Sequence, residues 1–158
     1  MKTSKHIISL LMFFYILSFP LKAQYKGKPF VMNFDVKEYR TNDQNWSINI
    51  NENGLVYIGN NKGLLEFDGS NWNLFPMPEN MVVRSVATEG DDIVYVGAFE
   101  EFGVFKKDNK GRMNYHSLSD TLNKKYFHND EIWRIIQHNQ KVYFQSFSNI
   151  YVYIGQNI

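Results

Sequence analysis

From residue 44 onward, apolar residues come in short runs separated by clusters of Asn, Asp, Glu and Gly. Runs at 46–50, 55–59, 64–67 and 72–75 are broken by Asn51-Glu52-Asn53-Gly54, by Asn60-Asn61-Lys62-Gly63 and by Asp68-Gly69-Ser70-Asn71. Short apolar runs between such turns predict β-hairpins, because Asn and Gly tolerate the positive φ that tight turns demand. The same order returns at 84–88, 92–97, 102–105 and 113–116, with turns at 89–91, 98–101 and 108–111. It begins a third time at 133–136 and 141–144, around His138-Asn139-Gln140. Tyr57 recurs as Tyr95 after 38 residues and as Tyr143 after a further 48. The runs Val94-Tyr95-Val96 and 55–58 have no polar side, which suits strands covered on both faces.

Four short strands in a unit of about 40–45 residues is the pattern of a β-propeller blade. The expected fold is therefore all-β: a partial β-propeller of about two and a half to three four-stranded blades, near 43–78, 79–120 and 128–158. Trp72 and Phe75 are expected on an outer strand, where large rings fill the wedge between blades. Residues 121–136 read as a long loop feeding the third unit. Closed propellers need about 4–8 blades, so a shorter stack leaves two blade faces and several strand edges open. That predicts a truncated product that associates through its open faces or pairs with further blades.

Residues 1–23 differ from the rest. Lys2, Lys5 and His6 precede an apolar run at 7–19, followed by Pro20-Leu21-Lys22-Ala23 and Gln24. A basic start, a short apolar run and a small residue before a polar one is the pattern of a secretory signal peptide. A spanning helix needs about 20 apolar residues, so the run is too short to be one. Cleavage after Ala23 and a periplasmic or secreted location are expected, with 24–42 as a lead-in segment and no membrane span in the mature chain. Losing Lys2, Lys5 and Lys22 takes the formal net charge from +1 to −2. A near-neutral chain has no general electrostatic pull on nucleic acid.

The string Gln44-Asn45-Trp46, then Asn53-Gly54-Leu55-Val56-Tyr57-Ile58-Gly59-Asn60, Gly63-Leu64-Leu65-Glu66-Phe67-Asp68-Gly69 and Trp72, closely resembles the first blade of the two-component-regulator propeller proteins of Bacteroidetes. Gly27-Lys28-Pro29-Phe30-Val31-Met32-Asn33-Phe34 resembles the segment that leads that family's mature chain into its ring. The resemblance covers most of residues 28–155. It implies a periplasmic sensor propeller that, in the family, precedes a triple-tyrosine β-sandwich, a transmembrane helix and a histidine-kinase or helix-turn-helix output. None of those later parts is in this sequence. What the resemblance implies here is a ligand-sensing module of a signal-transduction regulator, its cue often a glycan fragment or other small ligand.

Chemistry is sparse. The absence of Cys excludes disulfides, a thiol nucleophile and Cys-ligated metal. No nucleophile elbow, phosphate loop or zinc motif is present, and no cofactor is expected. His116, His128 and His138 lack metal-ligand spacing. Asp91-Asp92, Glu100-Glu101 and Asp130-Glu131 are neighbours, which on a strand point to opposite faces, so they read as solvated turn charges. Lys106, Lys107, Lys110 and Arg112 read as a solvated hairpin tip rather than a nucleic-acid patch. A secreted propeller enzyme, of polysaccharide-lyase or quinone-dependent dehydrogenase type, would need converging catalytic polar groups that the sequence does not offer. A structural module that completes a ring with another chain is a third reading. The candidate binding residues are Trp46, Arg84 and Trp133, which start the first strand of each unit. Asn60, Lys62 and Glu100, in the turns between second and third strands, join them. Rings that stack on sugar faces beside groups that bond hydroxyls suit a glycan or peptide ligand.

Overall fold

The computed structural model describes residues 29–122, 127 and 129–155, with His6, Met12 and Gly27. Apart from those isolated residues, the secretory segment and its cleavage position lie outside the described residues, as does His128. The chain divides into two units, Met1–Asn33 and Phe34–Ile158, and all the described strands belong to the second.

That unit is all-β. The first sheet is β1 (Asn45–Ile50), β2 (Val56–Asn60), β3 (Gly63–Phe67) and β4 (Trp72–Phe75). The second is β5 (Ser85–Glu89), β6 (Ile93–Ala98), β7 (Glu101–Lys107) and β8 (Met113–Ser117). The third is β9 (Arg134–His138), β10 (Lys141–Gln145) and β11 (Ile150–Ile154). Each sheet is an antiparallel meander in chain order, and among the described residues none closes into a barrel.

The registers repeat. Tyr57 lies between Asn49 and Glu66, Tyr95 between Ala87 and Val104, and Tyr143 between Ile136 and Val152. One residue along, Ile48 pairs with Ile58, Val86 with Val96 and Ile135 with Phe144. Successive side chains on a strand face opposite ways. The tyrosine row therefore leaves one side of each sheet and the aliphatic row leaves the other.

Those rows build the joints. Tyr57 and Leu64 of the first sheet pack with Val86, Val94, Val96 and Phe105 of the second. Tyr95, Phe102 and Val104 of the second pack with Val142 and Phe144 of the third. A buried tyrosine hydroxyl needs a partner, and each has a carboxylate. Tyr57 donates to Glu66 at 2.8 Å and Tyr95 to Glu89 at 2.7 Å. Burial first, and then the carboxylate, push both phenols well above their ordinary pKa. The connecting residues are locked alike. Val83 donates its N–H to the Asn60 carbonyl at 3.1 Å, and Ile132 donates to Ala98 at 3.0 Å. Both side chains are fully buried.

Trp72 and Phe75 part company. Phe75 enters the first joint, its ring 6.2 Å from that of Phe105. Trp72 pairs with Phe67 on the opposite face, so it does not fill the wedge expected of it. The reason is the two-residue period, since positions three apart on a strand cannot share a side. Trp72 stacks on Phe67 at 4.3 Å and is covered by Phe34 and Tyr39 of the lead-in segment. Tyr39 belongs to a one-turn helix, α1 (Val36–Tyr39). Asp35 caps it, accepting from the Lys37 N–H, while Glu38 accepts from the Asp35 N–H. This capping box was readable as Asp-x-x-Glu and the hairpin reading passed over it.

Candidate functional site

The first-strand candidates converge. Arg84 precedes β5, and its guanidinium carbon lies 3.7 Å from the centre of the Trp46 ring and 5.5 Å from that of Trp133. The two indoles meet edge to face, 6.2 Å apart. Trp46 begins its sheet in β1, and Trp133 immediately precedes β9, so equivalent positions on three successive sheets form one cluster. A cation over an indole face is worth about 0.5–2 kcal/mol. Each indole remains 37% exposed, so the cluster is a surface as well as a contact.

The neighbouring turns complete it. Trp46 donates its indole N–H to Asn61 at 2.7 Å, which fixes the ring's orientation. Phe147, 88% exposed, sits 5.5 Å from Trp133 in the turn between β10 and β11. Aligning the three second turns puts Asn61, Phe99 and Phe147 at one position. That alignment would have found Phe147 in the sequence. Glu131 accepts from Arg84 Nε, while Nη1 of the same guanidinium is buried with no partner among the described residues.

The turn candidates divide. Asn60 is fully buried and its amide is committed to the lead-in segment. It accepts from Thr41 at 2.8 Å and donates to the carbonyl of Asn42 at 2.7 Å and to Asn45 Oδ1 at 2.7 Å. Asn60 therefore holds the chain's approach to β1 and offers nothing outward. Lys62 is exposed beside it. Glu100 stands on an adjoining cleft of about 740 Å³ that shares Arg84 with the cluster and has Phe99, Glu79, Asp120 and Glu131 in its walls.

Of the three acidic pairs, Asp91-Asp92 stays in a turn with Asp92 exposed, and Glu100 is exposed too, whereas Glu101, Asp130 and Glu131 are not solvated turn charges. The 98–101 turn bridges to the strand leading into β9, through Phe99 and Glu131. That contact draws Glu101, Asp130 and Glu131 under neighbouring chain, and Glu100 stays at its exposed edge. Glu100 accepts from the Asn129 N–H. Glu101 accepts from Tyr115 at 2.6 Å and Ser117 at 2.7 Å, and burial together with this carboxylate pushes the Tyr115 phenol up. Asp130 is buried and accepts from Ser148 at 2.9 Å, Asn149 at 2.9 Å and Tyr151 at 2.7 Å. Burial alone would raise its carboxyl, but these donors outweigh it and hold the pKa below the ordinary value. The Tyr151 phenol moves the other way, by burial and then by Asp130, to about 12.

Asp130 thus anchors the turn that carries Phe147. Asp130→Ala leaves those donors without their acceptor, at an expected cost of about 2–4 kcal/mol. The carboxylate's folded pKa lies below its unfolded one. Its contribution is therefore complete at neutral pH and is lost as acid carries the solution down through the lowered pKa. Urea unfolding from neutral to acid pH should show a slope that Asp130→Asn reduces; an identical slope in the variant would contradict the assignment.

His116 lies on β8 and His138 ends β9, on different sheets. Among the described residues no cluster of His, Asp or Glu has metal-binding geometry, and no helix is long and apolar enough to cross a membrane. Comparison with models of known families, with curated proteins and with solved structures gave no match to this chain.

Proposed function

We propose that this chain is an extracytoplasmic ligand-binding module in which the three sheets act as successive blades of a β-propeller. On this reading Trp46, Arg84, Trp133 and Phe147 form its contact surface for a saccharide. The single observation that carries it is the convergence of Trp46, Arg84 and Trp133, equivalent positions of the three sheets, into one partly exposed aromatic patch around a half-buried guanidinium, with Phe147 beside it. Sugar rings present apolar C–H faces to indoles and phenyl rings, and their hydroxyls bond the polar groups between them. The resemblance of 44–72 to a sensor-propeller blade and the secretory pattern at 1–23 support a location outside the cytoplasm for such a surface. In a signal-transduction regulator, occupancy of the patch would be the event relayed to an output module.

The test uses the patch's own fluorophores. Titrating the chain with a panel of soluble neutral and acidic oligosaccharides should shift tryptophan emission for at least one of them. Trp46→Ala and Trp133→Ala should each weaken that ligand about tenfold, the loss of roughly 1.4 kcal/mol. Silence across the panel, or unchanged affinity in both variants, would overturn the assignment.

A further inference from the structure

The two joints inside the chain are made the same way, and among the described residues each end of the stack leaves part of one half of that joint exposed. On the first sheet that part is the β1 edge, since Phe34 and Tyr39 cover Phe67 and Trp72 on the same face. On the third sheet the tyrosine row is Ile136, Tyr143 and Val152, in the register that buries Tyr57 and Tyr95 between sheets. Here it faces outward, with Val152 47% exposed. On the first sheet the aliphatic row contains Ile48 and Ile58, the counterparts of Val86 and Val96 and of Ile135 and Phe144. Ile48 is 66% exposed. A partly uncovered apolar sheet face of this kind marks an association site.

We propose that the outer face of the third sheet receives the first sheet of a second copy of this chain, head to tail. Three observations favour that occupant. The two exposed rows are the two complementary halves of a joint that the chain already builds twice. Gly59 and Gly97 leave room for the buried Val83 and Ile132, but the third sheet has Gln145 at that place. The residue that would face Gln145 from a second copy is polar Asn45, the counterpart of Val83 and Ile132. Charge agrees as well. Consecutive hairpin tips touch, as Asn51 does Asp91, so the basic tip with His138 and Lys141 would meet the tip that carries Glu52. The contact is heterologous, using different patches on the two copies. It does not depend on the ligand reading above.

Light scattering and sedimentation of the chain as the cell produces it should show association that grows with concentration. Ile48→Glu and Val152→Glu each spoil a different half and should each give monomers. Mixed in equal amounts, the two variants retain one good half apiece and should form a heterodimer that stops at two copies. Circular dichroism matching the parent chain shows that each variant is folded, since both positions are exposed. A parent chain that is monomeric throughout overturns the proposal, as does a mixture that stays monomeric. Unchanged association in both variants assigns it to another surface and overturns the proposal too.

Discussion

Phe144→Ala is expected to cost about 3–5 kcal/mol, a large share of the roughly 5–15 kcal/mol that holds a domain folded. Phe144 is fully buried, stacks on Phe102 at 4.3 Å and meets Tyr95 edge to face at 6.1 Å. It is the third sheet's principal ring in the second joint. Its loss leaves a cavity between sheets that each have their own hydrogen-bonded ladder. The ladders can therefore persist while the joint loosens. Urea unfolding followed by far-ultraviolet dichroism gives the stability, and tryptophan emission reports the joint through Trp133. Emission should change at lower urea than dichroism in the variant. A loss under 1 kcal/mol would mean that the two sheets do not depend on this contact.

Gly97→Ala is the second severe change. A Cβ at this position would stand 2.4 Å from the Ser85 hydroxyl and 2.7 Å from the Ile132 Cβ. Neither neighbour can yield easily. Ser85 donates to the Ile132 carbonyl at 2.8 Å, and the Ile132 N–H is bonded to Ala98. Overpacking of this kind costs about 1–3 kcal/mol and more where backbone must move, so a loss near the top of that range is expected. Trimming Ile132 to Ala in the same chain should restore little, because the colliding Cβ remains. Gly59→Ala should behave alike in the first joint, where a Cβ would lie 2.7 Å from the Val83 carbonyl oxygen. Wild-type stability in Gly97→Ala would contradict the close approach.

The strands and turns were legible because period and turn chemistry are local. Asn51-Glu52-Asn53-Gly54 and Asp108-Asn109-Lys110-Gly111 mark hairpins whatever lies around them. Asp108 shows why: it accepts three bonds from its own turn, from Lys110 and Arg112, and the Arg112 interactions help lower its carboxyl to about 2. The clustering of Trp46, Arg84 and Trp133 followed from their equivalent places in the repeat. What stayed hidden depends on partners distant in the chain. Asn60 looked like a surface turn residue because nothing local announces that residues 41–45 fold over it. Asp130 and Glu131 looked solvated because the bridge from Phe99 to Glu131 spans residues far apart in the chain. Trp72 was misplaced for a different reason, since the two-residue period already assigned it away from Phe75.

The central claim is that the three sheets stack in series, each tyrosine row against the next sheet's aliphatic row. The chain has no cysteine of its own, so engineered pairs report contacts without background. Asn49→Cys with Thr88→Cys joins positions whose side chains hydrogen-bond at 2.7 Å across the first joint. Asn49→Cys with Val152→Cys joins equivalent faces of the first and third sheets, with the second between them. Under mild oxidation the serial stack predicts an intramolecular crosslink in the first pair and none in the second. A crosslink between 49 and 152, or none between 49 and 88, would contradict it.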